Sequence, residues 1–311
     1  LAVIELKRSS ISVSEGIRQN LTNQKAYCIE KFFTTMQFCM AGNDSEGLRY
    51  GTLLTPEKHY YEWQNDGFTE FQQERCETDV LIEEKSKDIE NLLDKQLFAM
   101  FYKKRFLDLI HNFIIFDKGI KKVCRYNQYY AIKRAQYRLT EEKRGGIIWH
   151  TQGSGKSLTM VMLAQAIILD KEIRNPKIIL VTDRTDLDRQ ITGTFRKCQI
   201  RVENATTGSK LVELLNSKSD AVITTIINKF ETAVRGIRTP LTDPNIFVLI
   251  DEGHRSQYGE MGIKMEKTLP NACFIAMTGT PLMKKEKNTA RKFGGIIQPV
   301  YTVDQAVAID E

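Results

Sequence analysis

The sequence predicts an α/β fold in which a parallel sheet forms the larger part of the chain. From about residue 120 onward, short apolar runs alternate with helical patterns, which is typical of a parallel sheet with helices on its faces. The 311 residues are 41% apolar and 27% charged, as expected of a globular chain with room for roughly two domains of about 150 residues. The longest mostly apolar stretch, 158–169, is shorter than the roughly 20 residues that cross a bilayer, so no membrane partner is expected.

Two segments precede this region. Residues 1–65 combine strand-like runs with one helix, which is expected over 13–33 and opened by Ser14. The strands expected in this first segment are 1–6, 35–40 and 48–53. Residues 66–120 are expected to form a helical connector, because apolar residues recur at helical spacing over 79–116.

The third segment, 121–311, carries the alternation of strands and helices. Its short apolar runs predict five strands, at 146–149, 177–182, 221–225, 246–250 and 273–277. An open α/β sheet binds its ligand at the carboxyl ends of its strands. The residues that follow these strands are therefore the candidates for function.

Charge is distributed unevenly along the chain. The net charge is +6, but residues 62–95 hold eleven acidic and four basic side chains, whereas 121–144 hold eight basic and two acidic ones. The acidic stretch is interpreted as a solvated helix face. The basic stretch could help to hold phosphates, although basic residues beside an enzyme domain are common.

The cysteines argue against metal and disulfide sites. The six thiols form no Cys-x-x-Cys pair and no cluster with histidine, so that neither a zinc site nor a disulfide framework is expected. Their positions are Cys28, Cys39, Cys76, Cys124, Cys198 and Cys273. A reducing, cytoplasmic location fits this pattern. Because Leu1 already lies inside a strand-like run, the chain is expected to be an internal fragment.

A phosphate-binding loop is the first functional motif. The strand 146–149 is followed by His-Thr-Gln-Gly-Ser-Gly-Lys-Ser and then by an apolar helix. In such a loop backbone N–H groups surround the phosphates, the lysine reaches the β and γ oxygens, and the serine hydroxyl binds magnesium. The residues expected to bind ATP here are Gly153, Ser154, Gly155, Lys156 and Ser157. His150 stands where the strict pattern has glycine, and taken alone the motif could be a glycine-rich turn before a helix.

A pair of carboxylates supplies the second half of a nucleotide site. Asp251 and Glu252 follow the apolar strand 246–250. Asp251 would hold Mg²⁺ through its water shell, and Glu252 would polarise the attacking water. An acidic strand end that caps a helix is the alternative for this pair alone. Together with the phosphate loop, it predicts nucleotide hydrolysis.

Several further segments fall in a characteristic order. They are 125–128 before the phosphate loop, 181–184 and 224–225 at strand ends, and 278–281 after the last predicted strand. With the two nucleotide motifs, they resemble those of superfamily 2 helicases and translocases. Each one alone could be a strand-terminal turn or a cap. The resemblance implies that Gln128 reads the adenine base, and it implies nucleic-acid contact or coupling to the ATP site for Thr182, Arg184, Thr225, His254, Thr278 and Thr280.

The segments 251–254, 255–258 and 279–287 resemble one branch, the restriction (motor) subunit of type I restriction-modification enzymes. The resemblance implies the C-terminal half of a PD-(D/E)xK nuclease domain at 1–65, the helical connector at 66–120, and the first of two RecA-like domains at 121–311. Nothing after residue 281 resembles the second RecA-like domain.

The nuclease assignment depends on a Glu-x-Lys triplet. Val3-Ile4-Glu5-Leu6-Lys7 resembles the family's strand, in which Glu5 would bind a magnesium ion and Lys7 would stabilise the phosphate. Gln19 occupies the position of the family's glutamine on the following helix, although Asn23 occurs where the family has a tyrosine four residues later. The family's preceding aspartate does not occur before Glu5. A solvated strand face is the common alternative for such a triplet.

The resemblance therefore implies an ATP-dependent endonuclease subunit that translocates and cleaves double-stranded DNA, with ATP and Mg²⁺ as cofactors. Its implied partners are the methylation and specificity subunits. The fragment is expected to be incomplete for both activities. Two alternatives remain, namely another superfamily 2 motor, either a stand-alone helicase or a type III restriction subunit, and a non-catalytic DNA-binding scaffold.

Overall fold

A computed structural model describes most of the chain. The described residues are 1–64, 77–142, 144–217, 221–237, 239–252, 267–279 and 294–302. The chain divides into two compact units, Leu1–Tyr129 and Tyr130–Glu311.

A four-stranded sheet forms the centre of the first unit. Its strands are β1 (Ala2–Leu6), β2 (Phe38–Asn43), β3 (Gly47–Gly51) and β4 (Tyr61–Glu62), in that spatial order. β1 is parallel to β2, whereas the other neighbours are antiparallel. Helix α1 (Val13–Asn23) covers β1 and β2, and its apolar side chains Val13 and Ile17 are buried with Cys39 and Ala41 of β2.

The helices of the predicted connector pack within this same unit. They are α3 (Glu77–Lys85), α4 (Leu92–Phe101) and α5 (Lys103–Asn112), and the short helix α2 (Glu30–Phe33) precedes β2. Gln96 of α4 is 5% exposed and accepts a hydrogen bond from the Leu48 backbone N–H at 2.6 Å. Its amide donates to Glu62 Oε1 at 2.8 Å and to the Trp63 carbonyl at 3.1 Å. One buried side chain therefore ties α4 to the edge of the sheet.

A buried cation adds a second tie. The Arg105 side chain is 1% exposed and forms an ion pair with Asp79, which is 4% exposed. The guanidinium also lies over the rings of Trp63 and Tyr129, at 5.4 and 5.5 Å from their centroids. A guanidinium so far from water needs a partner charge and aromatic faces to offset its lost hydration.

A seven-stranded parallel sheet forms the centre of the second unit, in the spatial order β13-β7-β12-β11-β8-β10-β9. Its strands are β7 (Gly146–His150), β8 (Lys177–Thr182), β9 (Val202–Asn204), β10 (Val222–Ile226), β11 (Ile246–Asp251), β12 (Cys273–Thr278) and β13 (Ile296–Tyr301). The associated helices are α6 (Tyr126–Tyr137), which runs in from the first unit, α7 (Lys156–Ile168), α8 (Thr185–Lys197), α9 (Gly208–Asn216) and α10 (Ile227–Gly236). All strand pairings are parallel, which confirms the predicted α/β class.

The five strands predicted in this region are confirmed, with ends that differ by at most one residue. Two strands were missed for physical reasons. β9 has only three residues, two of them polar, and it is too short to show a pattern. β13 contains Pro299 and lies at the sheet edge, where a strand tolerates a residue without an N–H.

The boundaries predicted in the first two segments need correction. The helix expected over 13–33 ends at Asn23, and turns separate it from α2. The strand expected at 35–40 is Phe38–Asn43. The helical pattern expected to extend to residue 116 stops at Asn112, because β5 (Ile114–Asp117) and β6 (Ile120–Val123) form a hairpin. Lys118 and Gly119 both have positive φ in its turn, the conformation that a two-residue hairpin loop requires.

Candidate functional site

The sheet of the second unit brings three loops to one edge. β12 lies between β7 and β11, with Asp251 of β11 paired to Met277, and Thr278 of β12 paired to Trp149 of β7. These parallel strands therefore end at nearly the same level. The phosphate loop, the pair of carboxylates and the residue after β12 follow adjacent strand ends, where an open α/β sheet binds its ligand.

The phosphate loop passes twice through the left-handed region of backbone space. Gly153 has a φ of +85° and Gly155 a φ of +83°, which glycine adopts readily because it has no Cβ. The Gly155 carbonyl accepts hydrogen bonds from the N–H groups of Leu158 (2.9 Å) and Thr159 (3.0 Å), so α7 begins directly after the loop. The first N–H groups of a helix have no partner within it and lie at its positive end. The start of α7 thus presents donors to an anion.

Lys156 and Ser157 are the first residues of α7, and the buried Ser154 precedes them in the loop. The Lys156 ammonium lies beside Gly279. A Cβ built on Gly279 would stand 2.7 Å from Lys156 Nζ and 3.4 Å from the Gln152 amide nitrogen. The lysine can hold this position only if the residue after β12 has no side chain, a requirement that the sequence analysis did not identify.

The carboxylate of Asp251, at the end of β11, is electrostatically coupled to that of Glu252 and to this lysine. Burial raises the pKa of Asp251, and the Glu252 carboxylate raises it further, whereas the Lys156 ammonium and the Glu252 backbone N–H lower it. Glu252 has a φ of +53°, and such backbone strain at a non-glycine residue is concentrated at functional sites. The strand ends therefore bring together one cation and two carboxylates, which is the charge arrangement of a nucleotide site with a divalent cation.

His150 ends β7 at the position where the strict phosphate-loop pattern has glycine. Its side chain is fully buried, and its ring lies edge-on to that of Tyr301, with centroids 6.1 Å apart. Burial lowers the pKa of His150 to about 4, with the Pro299 carbonyl opposing this shift and the Lys156 charge adding to it. The imidazole is therefore neutral near pH 7, and packing against β13 accommodates the larger side chain.

The residues expected to contact nucleic acid differ in accessibility. The Arg184 side chain is 61% exposed. Thr182 and Thr225 are buried, and their hydroxyls donate to the backbone carbonyls of Arg184 and Ala205, each at 3.4 Å. In this structure the two threonine side chains brace strand-end loops and do not face solvent.

The remaining predicted positions fall into two groups. Thr278 is fully buried at the end of β12, and Gln128 is 4% exposed. The Gln128 side chain accepts a hydrogen bond from the Arg125 backbone N–H at 2.9 Å and so caps the first turn of α6. His254 and Thr280 lie outside the described residues.

The three residues of the predicted nuclease site meet in the first unit. Lys7 Nζ lies 3.1 Å from Glu5 Oε1 and donates a second hydrogen bond to Gln19 Oε1. The helix that carries Gln19 lies close to the sheet, because a Cβ on Gly16 would stand 3.0 Å from Ala41 Cβ and 3.5 Å from Glu5 Cγ. The glycine one turn before Gln19 therefore lets α1 approach β1 closely enough for the three side chains to meet.

Two features are absent from the part of the chain that the structure describes. Within the ranges given above, no group of three or more His, Cys, Asp or Glu side chains is placed to hold a metal ion. No helix in those same ranges is long and apolar enough to cross a bilayer.

Comparison with known proteins gives matches in both units. Residues 127–311 match the family model of the SWI2/SNF2 ATPase, and residues 1–59 match that of the type I restriction enzyme R protein N terminus. The chain is 36% identical over 225 residues to a Methanocaldococcus jannaschii protein whose name describes a type I restriction enzyme endonuclease subunit, a match covering 69% of this chain and 21% of that protein. It is 34% identical over 264 residues to the endonuclease subunit of the type I restriction enzyme HindI of Haemophilus influenzae, covering 73% and 25%.

Among solved structures, the UvsW helicase of bacteriophage T4 is similar at a TM-score of 0.44 and 16% identity, over 63% of this chain and 67% of that one. The chain spans between a fifth and a quarter of the length of the two curated relatives.

Proposed function

The chain belongs to the SWI2/SNF2 ATPase family, and on this basis we propose that it is part of the endonuclease subunit of a type I restriction enzyme, with an ATPase unit that drives the translocation of double-stranded DNA. The observation that carries the proposal is the meeting of Lys156, Gly279 and the Asp251-Glu252 pair at one edge of the parallel sheet. The relatives named as endonuclease subunits support the same proposal.

The proposed ATPase reaction is attack by water on the γ-phosphorus of ATP, with ADP as the leaving group. The N–H groups of the loop and of the first turn of α7 bind the phosphate oxygens. Lys156 balances the negative charge that accumulates on the departing β-phosphate. Glu252 orients the attacking water and accepts its proton.

The residues at the sheet edge fit a magnesium ion. Mg²⁺ is usually held by one or two carboxylates together with substrate phosphates and water, and this edge offers Ser157 at the start of α7 and Asp251 at the end of β11. When bound, the ion supplies positive charge to the β- and γ-phosphates. Asp251 must be ionised to act as a ligand, and the neighbouring Lys156 favours that form.

For the predicted nuclease site, the proposal is limited to binding and orientation of the substrate. Lys7 holds the Glu5 carboxylate and the Gln19 amide together, an arrangement suited to binding a phosphodiester between an ammonium and a side-chain amide. A single carboxylate is a poor metal site by itself, and the described residues around it form no larger group of metal ligands. We therefore assign Glu5, Lys7 and Gln19 to binding and orientation, and derive no cleavage step from them.

The substrates and partners of the whole protein belong to the same proposal. They are double-stranded DNA, ATP, and the methylation and specificity subunits of a restriction-modification complex in the cytoplasm. The boundaries at residues 65 and 120, the adenine contact of Gln128 and the coupling role of Thr278 are parts of it.

The test is the magnesium-dependent ATPase activity of the full-length subunit, measured with and without duplex DNA and the two partner subunits. Hydrolysis that requires DNA and both partners is expected. DNA stimulation without the partners would favour a stand-alone motor instead, and no hydrolysis under any condition would favour a DNA-binding scaffold. The variant Lys156→Ala is the matched control for hydrolysis at this site.

A further inference from the structure

A basic cavity lies alongside α8, near β9 and β10. Its volume is about 350 Å³, and it is bordered by α8, the end of β9 and the start of α10. Three cations line it, Arg189 and Arg196 of α8 and Lys229 of α10. The two arginines are seven residues apart, so they stand on one face of α8 about 10 Å apart along its axis. Gly193 lies between them on that face, and a Cβ there would meet nothing within 4 Å, which keeps the cavity open.

A buried carboxylate lies at the inner side of this cavity. Asp188 is 8% exposed, although a carboxylate taken out of water requires compensating hydrogen bonds or charges. Its Oδ2 accepts a hydrogen bond from Asn204 Nδ2 at 2.6 Å. Its Oδ1 is buried and accepts none from the residues that the structure describes. Burial raises the pKa of Asp188, while the Asn204 amide, the Lys229 charge and the Thr224 hydroxyl lower it.

The hydrogen bonds around Asp188 connect three elements. Asn204, the last residue of β9, uses its second amide proton to donate to Thr224 Oγ1 of β10 at 3.0 Å. Thr192, one helical turn after Asp188, also donates to Thr224 Oγ1, at 3.1 Å. Asp188 and Thr192, four residues apart, therefore make their contacts with Asn204 and Thr224 from the same face of α8. The network therefore fixes the position of α8 against β9 and β10, and with it the positions of the two arginines on the adjoining face.

We propose that Asp188 is a positioning residue for nucleic-acid binding by the ATPase unit. It holds α8 so that Arg189 and Arg196, with Lys229, form a binding site for the phosphodiester backbone of DNA in this cavity. The three cations exceed the one carboxylate by two charges, which matches an anionic ligand. This inference rests on the proposed function, because it assigns the DNA site of the same ATPase.

The direction in which one substitution changes DNA affinity distinguishes positioning from simple electrostatic attraction. Asp188→Asn removes a negative charge from a basic site, and Coulomb attraction alone would then give tighter DNA binding. If Asp188 acts by positioning, the variant binds DNA more weakly, because an amide oxygen accepts a weaker hydrogen bond from Asn204 than the carboxylate does, which loosens the anchor of α8 and its arginines. The assay is DNA-stimulated ATP hydrolysis by the full-length subunit with its partner subunits, as a function of duplex concentration. We expect the DNA concentration for half-maximal stimulation to rise about 5- to 10-fold, and the rate at saturating DNA to stay within about twofold of wild type.

A variant in which the side chains at 188 and 204 are exchanged controls for a general loss of stability. In the double variant D188N/N204D, the amide and the carboxylate change places, so a charge-assisted hydrogen bond re-forms with reversed direction and the net charge of the cavity equals that of wild type. We expect it to recover most of the lost DNA affinity, whereas N204D alone places two carboxylates together and weakens binding. Arg196→Gln should weaken binding by itself and reduce the salt dependence of binding. Its effect should be smaller in the D188N background, because the two changes act on one site.

The outcomes are distinct. If the wild-type complex responds to DNA and D188N binds DNA as tightly as wild type or more tightly, the positioning role is wrong and the proposed function stands. A double variant that melts like wild type but stays as weak as D188N also overturns it. A wild-type complex that shows no response to DNA overturns the proposed function and the inference with it.

Discussion

A methyl group at Gly279 would test the arrangement of the ATP site most directly. In Gly279→Ala the new Cβ would stand 2.7 Å from Lys156 Nζ, whereas ordinary contacts begin at 3.4 Å. The ammonium therefore has to move by about 0.7 Å, the difference between these two distances. Because it is the far end of a flexible side chain, the move costs folding little, on the order of 1 kcal/mol or less, as for a change away from the packed core.

The cost to nucleotide binding is larger. A charge-assisted hydrogen bond from an ammonium to a phosphate oxygen is about 2.8 Å long. A further 0.7 Å takes it to about 3.5 Å, beyond the normal range of a hydrogen bond. Bonds to charged groups contribute about 1.5–3 kcal/mol, which corresponds to a 10- to 100-fold loss in nucleotide affinity or in kcat/KM.

The measurement is ATP binding and steady-state hydrolysis by the full-length subunit, together with its thermal unfolding midpoint. Gly236→Ala is the matched control, because it adds the same methyl group at the end of α10, where nothing lies within 4 Å, and it should leave both properties unchanged. The proposed contact between Lys156 and the strand end is wrong if Gly279→Ala binds and hydrolyses ATP within about twofold of wild type.

Three further predictions follow from the geometry. Asp251→Asn should abolish hydrolysis yet raise the unfolding midpoint of the nucleotide-free protein at neutral pH. The pKa of Asp251 is raised in the folded state, so ionisation of this carboxyl disfavours folding as pH rises, and the difference in midpoint between variant and wild type should shrink as pH falls. A difference that stays constant across the pH range would contradict this prediction. Gln96→Ala should destabilise the protein by about 1–3 kcal/mol in urea unfolding, because it removes the side-chain oxygen that accepts from the buried Leu48 N–H. The exposed Gln190→Ala should change stability by less than about 0.5 kcal/mol. Lys7→Met should abolish DNA cleavage by the complete restriction complex while its DNA-stimulated ATPase persists, and cleavage at the wild-type rate would remove Lys7 from the nuclease site.

The motifs of the proposed ATP site were recognisable because each of them is local in sequence. A phosphate loop needs glycines, a lysine and a helix start within eight residues, and 150–157 contain them all. The acidic pair after β11 is equally local. Parallel sheets place their strand ends at one edge, and this rule predicts that Lys156 and Asp251 lie at the same edge.

One boundary error arose from an apolar run of ambiguous period. Residues 113–116 suit either the end of a helix or a short strand. The turn at Lys118 and Gly119 and the pairing of β5 with β6 decided for the strand. β13, which contains Pro299, is identified by its pairing with β7.

By itself the sequence determined the α/β class, the phosphate loop and its carboxylates, and the Glu5-Lys7 pair, since these depend on residues close together in the chain. Only the tertiary structure decided which residues meet from distant segments. The approach of Gly279 to Lys156, the tie between Gln96 and Leu48, and the network of Asp188, Asn204 and Thr224 each join residues that are between 16 and 123 positions apart. Such contacts depend on strand order and helix packing, which no local pattern encodes.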